Sequence, residues 1–106
     1  MTDRLNQLLG YLENQKDDSF ILFAIAKEYE SMNAFEKAEE RYLYLKSVDP
    51  KYVGLYYHLG QLQEELEKTD DALSTYVEGI AVAKELKDHH ALSELQGVKV
   101  NLEMGL

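Results

Sequence analysis

The chain has 106 residues, 45% of them hydrophobic, with eight Tyr and three Phe, so it is too apolar for a disordered segment and sized for one domain or a short repeat array. Its formal charge of -9, from 11 basic and 20 acidic residues, argues against nucleic acid or an anionic membrane as the main partner. Cysteine is absent, which removes disulfides and thiolate metal sites, and no stretch approaches the roughly 20 apolar residues of a membrane span.

Glycine and proline are scarce (six and one), and apolar spacings of three and four recur where strand-like alternation does not. The expected class is all-α, with about six helices. The first runs over 2–15, with Leu5, Leu8, Leu9 and Leu12 on one stripe. Asp17 or Asp18 then caps a second helix over 19–32, where negative charge favours a helix N-terminus. Leu22, Ile25, Ala26 and Tyr29 form one face of it; Phe20, Phe23 and Lys27 form another.

Asn33 ends the second helix, being a residue that tolerates left-handed backbone. The third helix is expected over 35–48 and stops at Asp49-Pro50, because the residue before proline is pushed out of helical geometry. A fourth over 52–66 and a fifth over 69–86 follow, with Thr69 as the candidate cap of the fifth. Their connection, Glu67-Lys68, contains neither Gly nor Asn, so its backbone differs from the earlier turn or a charged residue there is strained. The sixth helix, over 89–104, carries Leu92, Leu95, Val98 and Leu102.

Displaced by 34 residues, Leu22, Ile25, Ala26, Ala38 and Tyr42 fall on Tyr56, Leu59, Gly60, Ala72 and Tyr76. A fixed period of this length marks stacked helix–turn–helix units. With the bulky residue, the Leu-Gly pair, the aromatic and the later Ala at these spacings, the chain resembles a tetratricopeptide repeat protein. Gln63 stands where that pattern has Tyr, and Lys84 where it has Pro, which lets the fifth helix run on. The resemblance implies an α-solenoid of helical hairpins in a single domain, 1–106. Its parts are an N-terminal helix (2–15), repeats at 19–52 and 53–88, and a C-terminal capping helix (89–104). Leu92 and Leu95 fit the first helix of a third unit, shifted by about two residues and lacking its partner.

The resemblance also implies function: the first helix of each hairpin lines a groove that takes a protein partner's extended peptide or helix. The positions carried over are Phe20, Phe23, Lys27, Glu30 and Ser31, then Gly54, Tyr57, Gln61, Glu64 and Glu65, and on the sixth helix His90, Ser93 and Gly97. Phe20, Phe23 and Tyr57 are the expected anchors, unless the first helix's leucines cover the two phenylalanines. Lys27 is the one expected groove cation, which argues against a clamp for a partner's C-terminal carboxylates. Glu28, Glu30, Glu64 and Glu65 favour a partner with apolar anchors and some basic character.

Chemistry is not suggested. His89 and His90 point about 100° apart on a helix, so they do not chelate together, and His90 with Glu94 reads as a surface contact. No serine has a histidine at motif spacing, and Gly60 and Gly79 read as close-packing positions inside helices. The expectation is therefore a non-enzymatic adaptor with no cofactor or metal. The N-terminus lacks a signal-peptide pattern, which makes a cytoplasmic location the default. The alternative is a homo-oligomeric structural module, in which Val100 and Leu106 of the last helix meet a second copy.

Overall fold

A computed structural model describes residues 3–106. Among these the chain is all-α, with six helices: α1 (Asp3–Asn14), α2 (Ser19–Ser31), α3 (Phe35–Val48), α4 (Gly54–Glu65), α5 (Thr69–Leu86) and α6 (His89–Met104). No helix among them is long and apolar enough to cross a membrane. The chain divides into two compact units, Met1–Tyr52 and Val53–Leu106.

In the first unit, α1 lays Leu5 and Leu8 against Ile21, Ala24 and Ile25 of α2, with Leu9, Leu12, Tyr29 and Met32 at the edge of the cluster. Each fully buried Leu or Ile in such a seam contributes about 1.5–3 kcal/mol. The end of α1 expected at Thr2 lies outside the described residues, and its other end falls at Asn14. Asp18 caps α2 by accepting from the Ile21 N–H at 3.0 Å. α2 returns along α3 through Asn33, whose φ of 60° is the left-handed geometry that asparagine tolerates. Ser19 Oγ donates to Asp49 Oδ2 at 2.5 Å, joining the start of α2 to the cap of α3.

The fourth helix begins at Gly54, two residues later than its hydrophobic spacing suggests. After Pro50 the chain makes a turn in which the Tyr52 N–H bonds the Asp49 carbonyl at 3.1 Å. Tyr52 is thereby left outside the helix, its ring 5.3 Å from that of Phe23.

In the second unit Leu55, Tyr56, Leu59, Leu62, Ala72, Tyr76, Ala83 and Leu95 are buried. The α4–α5 turn places Glu67 at φ 60°, so the strained alternative holds, with a charged residue in the position that Asn33 fills earlier. Thr69 does not cap α5: Lys68 occupies the cap position and its side chain makes no capping hydrogen bond, and Thr69 is the first helical residue. Asp70 and Asp71 do stand in the first turn, where the helix dipole favours them. Two glycines allow close approach. A Cβ on Gly60 would lie 2.1 Å from Tyr76 Cε1, and one on Gly79 would lie 2.5 Å from Tyr56 Cβ. Helix α6 is capped by Asp88, which accepts from the Ala91 N–H at 3.0 Å, and buries Leu95 in this core.

Candidate functional site

Because α1 packs on the Ile21–Ala24–Ile25 face of α2, it does not bury the phenylalanines one step round the helix. Phe20 is 68% exposed. Phe23 is half-buried, its ring 6.0 Å from that of Tyr42 on α3 and 5.3 Å from that of Tyr52. The Lys27 ammonium lies 5.7 Å from the Phe23 ring centroid, a cation–π contact that fixes where that charge is presented. These three residues open into one pocket of about 410 Å3 that is also lined by Ala24, Glu28, Ser31 and Arg4.

Arg4 corrects the sequence reading, in which Lys27 was the one basic residue of this face. Its Nε lies 3.7 Å from Glu28 Oε2. The pocket thus holds two cations and one carboxylate already facing a cation. Arg4 is missed from sequence because its position depends on how α1 docks, which local periodicity does not encode.

On the second unit, Tyr57 is half-buried, with its ring edge-on to His58 at 5.6 Å. Gln61 and Glu64 are brought together by Tyr76 of α5. Gln61 Nε2 donates to the Tyr76 hydroxyl at 2.7 Å and approaches Glu64 Oε2 at 3.3 Å, while the Tyr76 hydroxyl donates to Glu64. His90 is not drawn into this group. It stands at the first turn of α6, its side chain 85% exposed, with Nε2 3.6 Å from Glu94 Oε2.

The same arrangement occurs in the first unit, where the Tyr42 hydroxyl donates to Glu30. Both bonds span 12 residues, and the two lie 34 residues apart, so the repeat reaches into the face expected to receive a partner. Burial and then the hydrogen bond to Glu30 raise the Tyr42 hydroxyl well above the usual tyrosine range. Burial and the bond to Glu64 raise Tyr76 likewise, with the Gln61 contact working the other way. Part of the acceptor capacity of Glu30 and Glu64 is therefore committed internally. A sequence signal for these bonds exists: a Glu twelve residues before each repeated Tyr.

No family model matches the chain, and no curated protein matches it. Solved structures do. A tetratricopeptide repeat domain protein from Salinibacter ruber is 44% identical in its crystal structure, with a TM-score of 0.78, over 81% of this chain and 97% of that one. The solution structure of a tetratricopeptide repeat domain protein from the same organism gives 44% identity and a TM-score of 0.79, over 81% and 87% of the two chains. A protein from Bordetella parapertussis shares the fold at 22% identity, with a TM-score of 0.85 over 99% and 91%. The 34-residue register, the paired hairpins and the 44% identity over most of the chain have one common explanation: this protein belongs to the tetratricopeptide repeat family.

Proposed function

We propose that the chain is a binding module that takes an apolar segment of a partner protein, as an extended peptide or a helix, on the outward face of α2 in the first unit, with the outward face of α4 in the second unit as a separate binding face. The coarse part of this reading follows from the family, whose repeat fold generally mediates protein–protein interaction. The observation that carries the finer part is Phe20, 68% exposed at the edge of a pocket that Phe23 floors and that Lys27 and Arg4 flank. A large aromatic held on a rigid helix beside an open pocket is the usual anchor of an interface. Tyr57, Gln61 and Glu64 offer the second face, more polar, with Gln61 and Glu64 already hydrogen-bonded to Tyr76.

The partner fitted by the first face carries aliphatic or aromatic anchors. Basic character is not favoured there, since Arg4 and Lys27 outnumber Glu28. The experiment is affinity capture from lysate with the wild-type chain, Phe20→Ser and Tyr57→Ala, followed by titration of the recovered partner. Burying an anchor of this size is worth about 1.5–3 kcal/mol, so Phe20→Ser is expected to weaken the complex by about tenfold or more. Undiminished binding by Phe20→Ser would remove the α2 face from the proposal, and undiminished binding by both variants would remove the proposal itself.

A further inference from the structure

The second unit carries another surface, between α5 and α6. Val77, Ile80 and Lys84 of α5 and Gln96, Lys99 and Val100 of α6 line an open groove of about 510 Å3. Val77 and Val100 are 50% and 48% exposed, an apolar floor left to solvent in a small helical unit.

The repeat register says what shape this floor fits. Advanced by two residues beyond the 34-residue period, Leu59 of α4 corresponds to Leu95 of α6, and both are buried. On that alignment Gly60, Gln63 and Glu64 correspond to Gln96, Lys99 and Val100. On α4 those three residues meet the second helix of the hairpin: Gly60 faces the Tyr76 ring, Gln63 accepts from Thr75, and Glu64 accepts from Tyr76. Helix α6 therefore presents, at the groove, the face that on α4 is covered by α5.

Charge says what kind of helix. In a chain carrying -9, both ionisable residues that line this groove are lysines. Lys84 is exposed and stands where the earlier repeat has Pro50, in the stretch by which α5 reaches 18 residues against 14 for α3. Lys99 is held at 3.1 Å by Glu103, an exposed i,i+4 pair that an incoming carboxylate can replace at little cost. A self-complementary contact through the groove would gather Lys84 and Lys99 of both copies in one interface, which disfavours a second chain as the occupant.

We infer that the α5–α6 groove seats an acidic amphipathic helix of a partner protein, its aliphatic stripe on Val77, Ile80 and Val100 and its carboxylates toward Lys84 and Lys99. The test uses two synthetic helical peptides of about 16 residues, long enough to hold a helix, with identical Leu spacing at i, i+3, i+4 and i+7. One bears Glu on the flanks of the stripe and the other bears Lys. Anisotropy titration of the full chain is expected to favour the Glu peptide by about tenfold or more. Lys84→Glu should abolish that preference, and Val100→Asp should abolish binding to the groove. Circular dichroism of each variant confirms that the fold is kept. Equal affinity for the two peptides would overturn the inference, as would binding insensitive to Lys84→Glu. So would concentration-dependent dimerisation that Val100→Asp suppresses, which would give the groove to a second copy.

Discussion

In hairpin α2/α3 the ring of Tyr29 lies beside Lys37 and Arg41 of α3, with the charged groups 5.8 and 6.0 Å from its centroid. In α4/α5 the 34-residue register puts Gln63 in place of Tyr29 and Thr75 in place of Arg41, and Thr75 Oγ1 donates to Gln63 Oε1 at 2.6 Å. One contact is an aromatic face with cations at a partly exposed edge; the other is a hydrogen bond inside a buried seam, with Gln63 4% exposed. Both partners changed together, so what is repeated is the contact between helices and not its chemistry. The family's Tyr is dispensable at this position because the second hairpin supplies a polar pair that satisfies itself in the dark interior.

Close approach separates the hairpins further. Gly79 lies in the register of Leu45, and Gly60 in that of Ala26. The second hairpin replaces side-chain volume by helix proximity, and Gly79→Ala tests this most severely. The new methyl would stand 2.5 Å from Tyr56 Cβ, an atom fixed to its backbone, and 3.1 Å from Leu95 Cδ1, so α4 and α5 must separate. Overpacking of this kind costs about 1–3 kcal/mol, which exceeds the gain of about 1 kcal/mol in helix propensity. Thermal unfolding should show a marked loss of stability. A neutral or stabilised Gly79→Ala would mean that the helices are not in this contact.

The fold was largely legible before the structure, because helix periodicity and turn residues are local. Helices α3, α5 and α6 begin and end where their apolar spacing and stop signals place them. The start of α4 was not, since the period continues through Tyr52 while the turn after Pro50 sends that ring to Phe23 instead. Thr69 looked like a cap by residue type, yet the register of the turn puts Lys68 there. The contacts made by the residues expected at the binding faces were not readable. Arg4 reaches its pocket through the docking of α1, and the Tyr–Glu bonds depend on how two helices cross.

Thr75→Val sharpens the comparison at the seam. It removes the hydroxyl from which Gln63 accepts while keeping shape, and a buried hydrogen bond lost in this way costs about 1–2 kcal/mol. Arg41→Ala in the first hairpin removes a cation at the rim of Tyr29 and should cost about 0.5–1 kcal/mol. Urea denaturation of both variants measures the contrast. Equal losses would mean that the two contacts carry equal weight despite their different burial.

The two tyrosine hydroxyls give the hairpins a common alkaline limit. An unperturbed tyrosine ionises near 10.0, while Tyr42 and Tyr76 are raised above that in the folded chain. A raised pKa means that the fold favours the protonated form. The associated stability is whole below pH 10 and declines as pH rises above it, because the unfolded chain gives up its protons first. Tyr42→Phe should cost about 1 kcal/mol at pH 7 and flatten the loss of stability above pH 10. Tyr76→Phe should flatten it less, since the Gln61 contact offsets part of the shift at Tyr76. Denaturation midpoints between pH 7 and 11 decide this, and parallel curves for wild type and both variants would contradict it.

The turns supply the smallest and most symmetrical test. Asn33 and Glu67 occupy matching positions with the same φ of 60°, and the following N–H groups bond back in the same way, Ala34 to the Tyr29 carbonyl and Lys68 to the Gln63 carbonyl, at 2.9 and 2.8 Å. Geometry is therefore held constant while the residue varies. Left-handed backbone costs a residue with a Cβ roughly 1–2 kcal/mol, less for asparagine and nothing sterically for glycine. Glu67→Gly relieves that strain but gives the unfolded chain more freedom, leaving a net gain of about 0.5–1 kcal/mol. Asn33→Gly should gain only a few tenths, about the size of the measurement error. If Glu67→Gly fails to raise the unfolding midpoint above that of Asn33→Gly, then Glu67 earns its place by a contact in the folded state, and the turn is not the strained element that its backbone indicates.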